Sequence, residues 1–375
     1  MAIKSKKNIE KKVKESNLTP ESTYLGIDRI DSPALIVFEE IIVENIRKAI
    51  EIARFDVSRL RPHVKTNKTR EICELMMREG ITKFKCATIA EAEMLAMAGV
   101  TDILLAYQPI GPKIERLRRL METWPSIRFA CLTDNKQTAQ EIDRVISKGM
   151  NPLVNVFIDV NVGMNRTGLH PSQAKDLAKY ILSLKHLRLA GLHGYDGHIH
   201  DSDLSARQQA ADASFAELNT AYQSVQSLVD YPLTMVTSGT ITFPVHVSRE
   251  HVECSPGTFV LWDWGYSHSF PDLPFRHAAY ILCRVISVPD EKHICIDLGN
   301  KSVASESPLP RIYFPPTLEI TPVAHSEEHL VAEVPDSSLF PVGTILLGIP
   351  KHICPTVALY EKMYVVENHK ITKEW

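Results

Sequence analysis

Several short stretches of this chain carry side chains that can do chemistry, and their types decide which chemistry. Arg61-Pro-His-Val-Lys-Thr-Asn-Lys68 places Lys65 just after an extended run. An amine at the end of a strand can form a Schiff base if burial or a neighbouring cation lowers its pKa. A lone lysine after a strand is otherwise an ordinary solvated residue. Thr237-Ser-Gly-Thr-Ile-Thr242 and Ser255-Pro-Gly-Thr258 supply Ser238, Gly239, Thr240, Gly257 and Thr258. Glycine lets backbone approach a ligand, and hydroxyl and N–H donors suit phosphate oxygens. Each stretch by itself reads as a turn. Together, an amine for an aldehyde and a seat for a phosphate are what pyridoxal phosphate requires.

A second chemistry is written in Lys351-His-Ile-Cys-Pro-Thr356. Positions i and i+2 of a strand share a face, so His352 and Cys354 are expected side by side. Imidazole plus thiolate suits zinc better than a hard cation, with manganese as the alternative. A structural zinc takes four protein ligands. Two leave room for water and a substrate oxygen, which is an open, catalytic arrangement. The plain alternative is a buried cysteine beside a surface histidine. His193, His198 and His200 form a third cluster with Asp196, Asp201 and Asp203. It reads equally as a metal site, as a polar loop, or as the source of a general base, with His198 and His200 as the candidates.

The elements that must position these residues alternate in period. Ala34–Phe38 is a short apolar run, and Ile42, Ile46, Ala49, Ile50 and Ala53 then recur at helical spacing. Strand-like runs return near 60–65, 83–88, 102–107, 128–133, 153–160, 187–195 and 234–238, with helical stretches between them. This alternation predicts an α/β fold with a parallel sheet, and its count and span fit a (β/α)8 barrel. Lys65 then ends the second strand and Ser238 follows the eighth. No G-x-G-x-x-G follows the first strand, against a dinucleotide-binding sheet. Beyond about residue 270 helical periodicity gives way to short β-rich runs, predicting an all-β C-terminal domain. The expected organisation is a 1–31 segment packing on the β domain, a 32–272 barrel and a 273–375 β-rich domain.

Composition excludes several classes. Over 375 residues the formal net charge is -3, far from the basic balance of a protein that neutralises phosphate backbones, so no nucleic-acid partner is expected. No apolar run is long enough to span a membrane. The seven cysteines include no C-x-x-C pair, which favours a reducing cytoplasmic setting over a disulfide scaffold. Lys4, Lys6, Lys7, Lys11, Lys12 and Lys14 have no apolar segment behind them, so no secretory leader is expected.

The motifs also carry a family likeness. Leu60–Lys68, Gly163-Met-Asn-Arg-Thr-Gly168, Gly191-Leu-His-Gly-Tyr-Asp-Gly197, the Ser-Gly-Thr stretch and Lys351–Thr356 occur in family order. Across roughly residues 30–365 the chain resembles the D-threonine aldolase / D-serine dehydratase family of alanine-racemase-like pyridoxal phosphate enzymes. The resemblance implies a TIM barrel followed by a β domain, a homodimer, and a small D-3-hydroxy amino acid as substrate. It implies that Lys65 holds the cofactor, Arg166 lies near the phenolate oxygen and Tyr195 lies beside the ring. It also implies that Ser238, Gly239, Thr240, Gly257 and Thr258 seat the phosphate, and that His352 and Cys354 bind a metal. The family's dehydratases tend to carry H-x-C and its aldolases H-x-D. Cys354 therefore points to dehydration of D-serine or a similar D-amino acid, such as D-3-hydroxyaspartate, to a ketoacid and ammonia. Retro-aldol cleavage to glycine and an aldehyde is the alternative. A racemase and a non-catalytic cofactor carrier rank behind both.

Overall fold

A computed structural model describes residues 24–150 and 152–375. The lysine-rich stretch from Lys4 to Lys14 lies outside the described residues. The chain forms two compact units: one runs up to Asn45 and resumes at Val260, and the other spans Ile46–Phe259. No helix among the described residues is long and apolar enough to cross a membrane.

The first strand, β1 (Ala34–Phe38), corrects the sequence reading. All five residues are buried, as a barrel strand's would be, but β1 pairs in parallel with β15 (Tyr364–Glu367) and antiparallel with β9 (Ala279–Ser287). It is an inner strand of the second sheet and not the first strand of a barrel. A short run buried on both faces fits either place, and periodicity alone cannot choose between them.

The parallel sheet of the Ile46–Phe259 unit contains β2 (Lys83–Cys86), β3 (Asp102–Leu105), β4 (Arg128–Thr133), β5 (Val154–Asp159), β6 (Leu187–Gly194), β7 (Thr234–Thr237) and β8 (Val252–Cys254), hydrogen-bonded in that order. The edges are joined by the extended segment Leu60–Val64. The amides of Arg61 and His63 donate to the carbonyls of Cys254 and Pro256. On the other side the Lys85 amide donates to Pro62 and the Val64 amide to Lys85. Leu60–Val64 is thus the first barrel stave rather than the second, and the three-residue β8, which the sequence did not disclose, is the last. Arg61 pins this closure from inside. Its buried guanidinium donates to Glu253 at 2.6 Å and Asp102 at 2.7 Å. Removing one partner of such a buried pair costs ~3–5 kcal/mol. Leu104, Ala130, Leu132, Phe157 and Val236 fill the barrel interior.

The other unit carries a nine-stranded, mostly antiparallel sheet. Its main path runs β12 (Thr321–His325), β13 (Leu330–Glu333), β10 (His293–Ile296), β9, β1, β15 and β16 (Lys370–Glu374). Beside it, β14 (Ile345–Pro350) pairs with β9 and with β11 (Ile312–Tyr313). Tyr24, Ile27 and Ile30 bury themselves against β1, β9 and β14, so the described part of the N-terminal segment belongs to this core.

Candidate active site

Parallel barrels expose reactive groups at the C-terminal ends of their strands, and the predicted residues collect there. Lys65 follows the closing segment, Tyr195 follows β6, Ser238 follows β7 and Ser255 follows β8. The focus is the Tyr195 ring. Lys65 Nζ lies 5.6 Å from its centroid, Lys85 Nζ 5.7 Å and the Arg166 guanidinium carbon 5.3 Å. A Cβ on Gly239 would stand 3.4 Å from the same ring. A Cβ on Gly197 would collide with it, so glycine there lets the tyrosine fold back on its own loop. Asp196 anchors that loop, accepting from Thr242 Oγ1 at 3.0 Å and pairing with His246 Nε2 at 2.9 Å.

The phosphate-seat residues also converge. Thr240 Oγ1 accepts from the amides of Gly257 and Thr258, both at 3.0 Å, which leaves its own proton to donate outward. Ser255 Oγ is buried with no hydrogen-bond partner. Ser238 sits at φ +72°, the left-handed region, at the turn out of β7. A Cβ on Gly257 would be 2.9 Å from the His63 carbonyl oxygen, so this loop lies directly against the Lys65 motif. An exposed amine, an orphaned buried hydroxyl and a hydroxyl whose proton is free to donate fit pyridoxal phosphate.

Lys85 and Asp159 escaped the sequence reading, which named His193 only with His198 and His200. Lys85 is buried on β2, with Nζ 3.0 Å from His193 Nε2, and His193 Nδ1 is 2.6 Å from Asp159 Oδ1. Burial, then the charge of Lys65, lowers Lys85 to about 7, against the pull of Asp159 and Asp196. Burial followed by Lys85 also lowers His193. Burial opposes the charge of Asp159, but the bond and charge of His193 together with Thr167 and Lys85 outweigh it and hold the carboxyl below its usual value. His193 Nδ1–H therefore donates to a carboxylate, and Nε2 accepts from Lys85. The available signal was a lysine between Phe84 and Cys86 inside a strand that the barrel buries. The other two histidines are both exposed; His198 packs on Gly163 and lies 3.4 Å from Ser214 Oγ.

His352 and Cys354 come together, but not as expected. β14 ends at Pro350, His352 caps the helix Ile353–Val357, and Cys354 lies in its first turn. The strand-face argument therefore fails. Asp263 accepts from the Ile353 amide at 3.0 Å and Thr356 Oγ1 donates to the His352 carbonyl, so the chain turns into a helix where a strand was expected. The side chains still meet. Burial opposes the charge on His352, yet its hydrogen bonds to Cys354 and Glu306 push it up to about 9. Glu306 Oε1 holds Nδ1 at 2.6 Å, leaving Nε2 as the ligating nitrogen. Burial raises Asp263 to about 6 beside them. A soft thiol and an oriented imidazole fit a divalent ion such as zinc. Among the described residues no group of three or more His, Cys, Asp or Glu forms a cage.

Comparison with known proteins bears on the family and the fold. Residues 39–261 match the family model "Alanine racemase, N-terminal domain", and residues 278–366 match "Putative serine dehydratase domain". A D-threonine aldolase from Arthrobacter sp. is 26% identical, with 92% of each chain covered. A D-serine dehydratase from Schizosaccharomyces pombe is also 26% identical, over 97% of this chain and 95% of its own. The crystal structure of D-threonine aldolase from Filomicrobium marinum superposes with a TM-score of 0.86 at 23% identity, covering 95% of this chain and 97% of that one, and so shares the fold.

Proposed function

The chain belongs to the alanine racemase N-terminal domain family, and on that premise we propose that it is a pyridoxal phosphate- and metal-dependent lyase acting on D-3-hydroxy amino acids. The preferred reaction is dehydration of D-serine or a similar substrate, such as D-3-hydroxyaspartate. Water leaves across Cα–Cβ and one water returns at the resulting imine, so the net products are a ketoacid and ammonia. Cys354 beside His352 carries this choice, because the family's dehydratases tend to carry H-x-C where its aldolases carry H-x-D.

Bound pyridoxal phosphate supplies an electron sink for a carbanion at the α-carbon. A divalent ion held by His352 and Cys354 would supply Lewis acidity. The protein's residues do the rest. Lys65 presents an exposed amine to hold the cofactor and to take up and return the α-proton. Thr240, whose oxygen the Gly257 and Thr258 amides hold, would turn its hydroxyl proton to the phosphate, and Tyr195, with Arg166 over its own ring, would wall the cofactor. We assign the proton work to Lys65 rather than to His198 or His200, since Lys65 belongs to the Tyr195 cluster. By the same family likeness the working form is a homodimer.

Retro-aldol cleavage is the second reading, favoured by the likeness to the Arthrobacter D-threonine aldolase. A product assay decides. The protein is incubated with D-serine, D-threonine and D-3-hydroxyaspartate. Ketoacid with equimolar ammonia supports dehydration, glycine with an aldehyde replaces it by cleavage, and neither product from any of the three overturns the lyase reading.

A further inference from the structure

The role of Lys65 leaves a second lysine at the same ring unexplained. Lys85 is only 3% exposed and sits in the wall of the barrel, where a lysine is costly to bury. Its Nζ meets His193 Nε2 at 3.0 Å, and His193 is backed by Asp159 at 2.6 Å. Asp159 and His193 are register neighbours on β5 and β6, so two adjacent strands hold the pair rigidly opposite β2. The Lys85 backbone takes part in closing the barrel, but the side chains of these three residues do not; Arg61, Asp102 and Glu253 supply the side-chain pairs of that closure elsewhere on the strands.

We propose that Lys85 is a positioning residue of the lyase site: held by His193 and Asp159 at the Tyr195 ring, it places a second amine in the field of Lys65 and so sets the pH at which the Lys65 nitrogen gains or loses its proton. The inference rests on the reading of Lys65 as the amine that holds the cofactor.

The groups that face Lys85 make the dependence specific. Lys65, just after the closing segment, and Arg61, within it, repel its charge, whereas Asp159 on β5 and Asp196 after β6 attract it. His63 and His193 stand beside it as bases whose protonation burial disfavours, and Arg166 adds a further positive charge against His193. The proton of Lys85 is therefore balanced between opposing neighbours. It changes hands near neutral pH, while its stem stays fixed by the hydrogen bond to His193. When Lys85 is charged, a second positive charge on Lys65 is disfavoured; when it is neutral, that restraint is lifted.

The test is a spectral pH titration of the intact holoenzyme without substrate, following the visible band of the bound cofactor. Lys85→Met is expected to move the inflection upward by about one pH unit, a tenfold change in the proton equilibrium, with the acid limb of the kcat profile moving likewise and KM little changed. Asp159→Asn takes away an attraction for the Lys85 proton, so Lys85 loses its charge at lower pH and the inflection is expected at an altered pH even if Lys85→Met does not fold. Lys85→Arg, which keeps a charge at all pH values, is expected to hold the inflection low and remove the neutral-pH step. A titration that superimposes on wild type in the variants that fold overturns the proposal. Borohydride fixation on wild type separates this failure from failure of the premise. Label on the Lys65 peptide with unchanged titrations sinks only the role of Lys85, whereas label on the Lys85 peptide sinks both.

Discussion

The barrel cluster around Tyr195 and the His352–Cys354 pair treat protons in opposite ways. In the barrel, burial dominates and Lys85 is driven down to about 7. At the end of β14, partners dominate, and Cys354 and Glu306 lift His352 to about 9 despite partial burial. One region is built to release a proton from a nitrogen near neutral pH. The other keeps its donors occupied with one another until a cation replaces the shared proton, as metal ligands do. Titratable groups in the same protein are thus tuned by different means, desolvation in one place and hydrogen-bonded company in the other.

The largest test of this contrast is Lys65→Ala. Losing the amine is expected to cut turnover by ~10³-fold or more, with borohydride no longer labelling the protein. Removing the metal with a chelator should also abolish bond cleavage at Cβ, yet leave the visible cofactor band in place. If the band disappears with the metal, the two sites are not separable in function. Cys354→Asp should shift metal preference toward manganese or magnesium and raise glycine formation relative to ketoacid, measured in one product assay.

Smaller effects sharpen the comparison. Glu306→Ala leaves both proposed ligands in place but frees His352 Nδ1, and metal affinity is expected to fall ~10–100-fold, read by competition with a chromophoric chelator. The two glycines of the phosphate seat should differ. Gly257→Ala puts a Cβ 2.9 Å from the His63 carbonyl oxygen and should weaken pyridoxal phosphate binding, while Gly239→Ala meets only the Tyr195 ring at 3.4 Å and should be milder. Equal losses in a cofactor titration would argue against the geometry of the Gly257 loop.

The smallest effect concerns stability. The folded pKa of Lys85, about 7, lies below that of an unfolded lysine, ~10.4. Between these values the unfolded chain binds a proton that the folded chain does not. Stability should therefore rise with pH across that window, with a contribution of up to ~1.4 kcal/mol per pH unit from this site. Lys85→Met should flatten that slope in denaturant titrations at several pH values.

Much of this was legible before any coordinates. The alternation of periods marked a parallel α/β unit followed by a β-rich one, because amphipathic repeats report local structure directly. Lys65, Ser238, Gly239, Thr240, Gly257, Thr258, His352 and Cys354 were named from the chemistry of short motifs, and Arg166 and Tyr195 from the family likeness that those motifs carry. Other features were beyond local pattern. Ala34–Phe38 carries no mark of which sheet takes it, and Val252–Cys254 is too short to show a period. His352-Ile-Cys354 reads as a strand until Asp263, far away in sequence, captures the Ile353 amide and starts a helix.

What the sequence determined by itself, then, was the order of elements and the inventory of reactive groups, because both follow from the chemistry of neighbouring residues. Only the tertiary structure decided their company. Phe84-Lys85-Cys86 looks like an ordinary solvated lysine in a short strand, and Asp159 and His193 look like strand-end polar residues. Closing the barrel brings the three together within hydrogen-bond reach and out of water. Glu306 likewise meets His352 only through the fold. A pKa depends on burial and on charges a few ångströms away, and those distances are set by folding rather than by position in the chain.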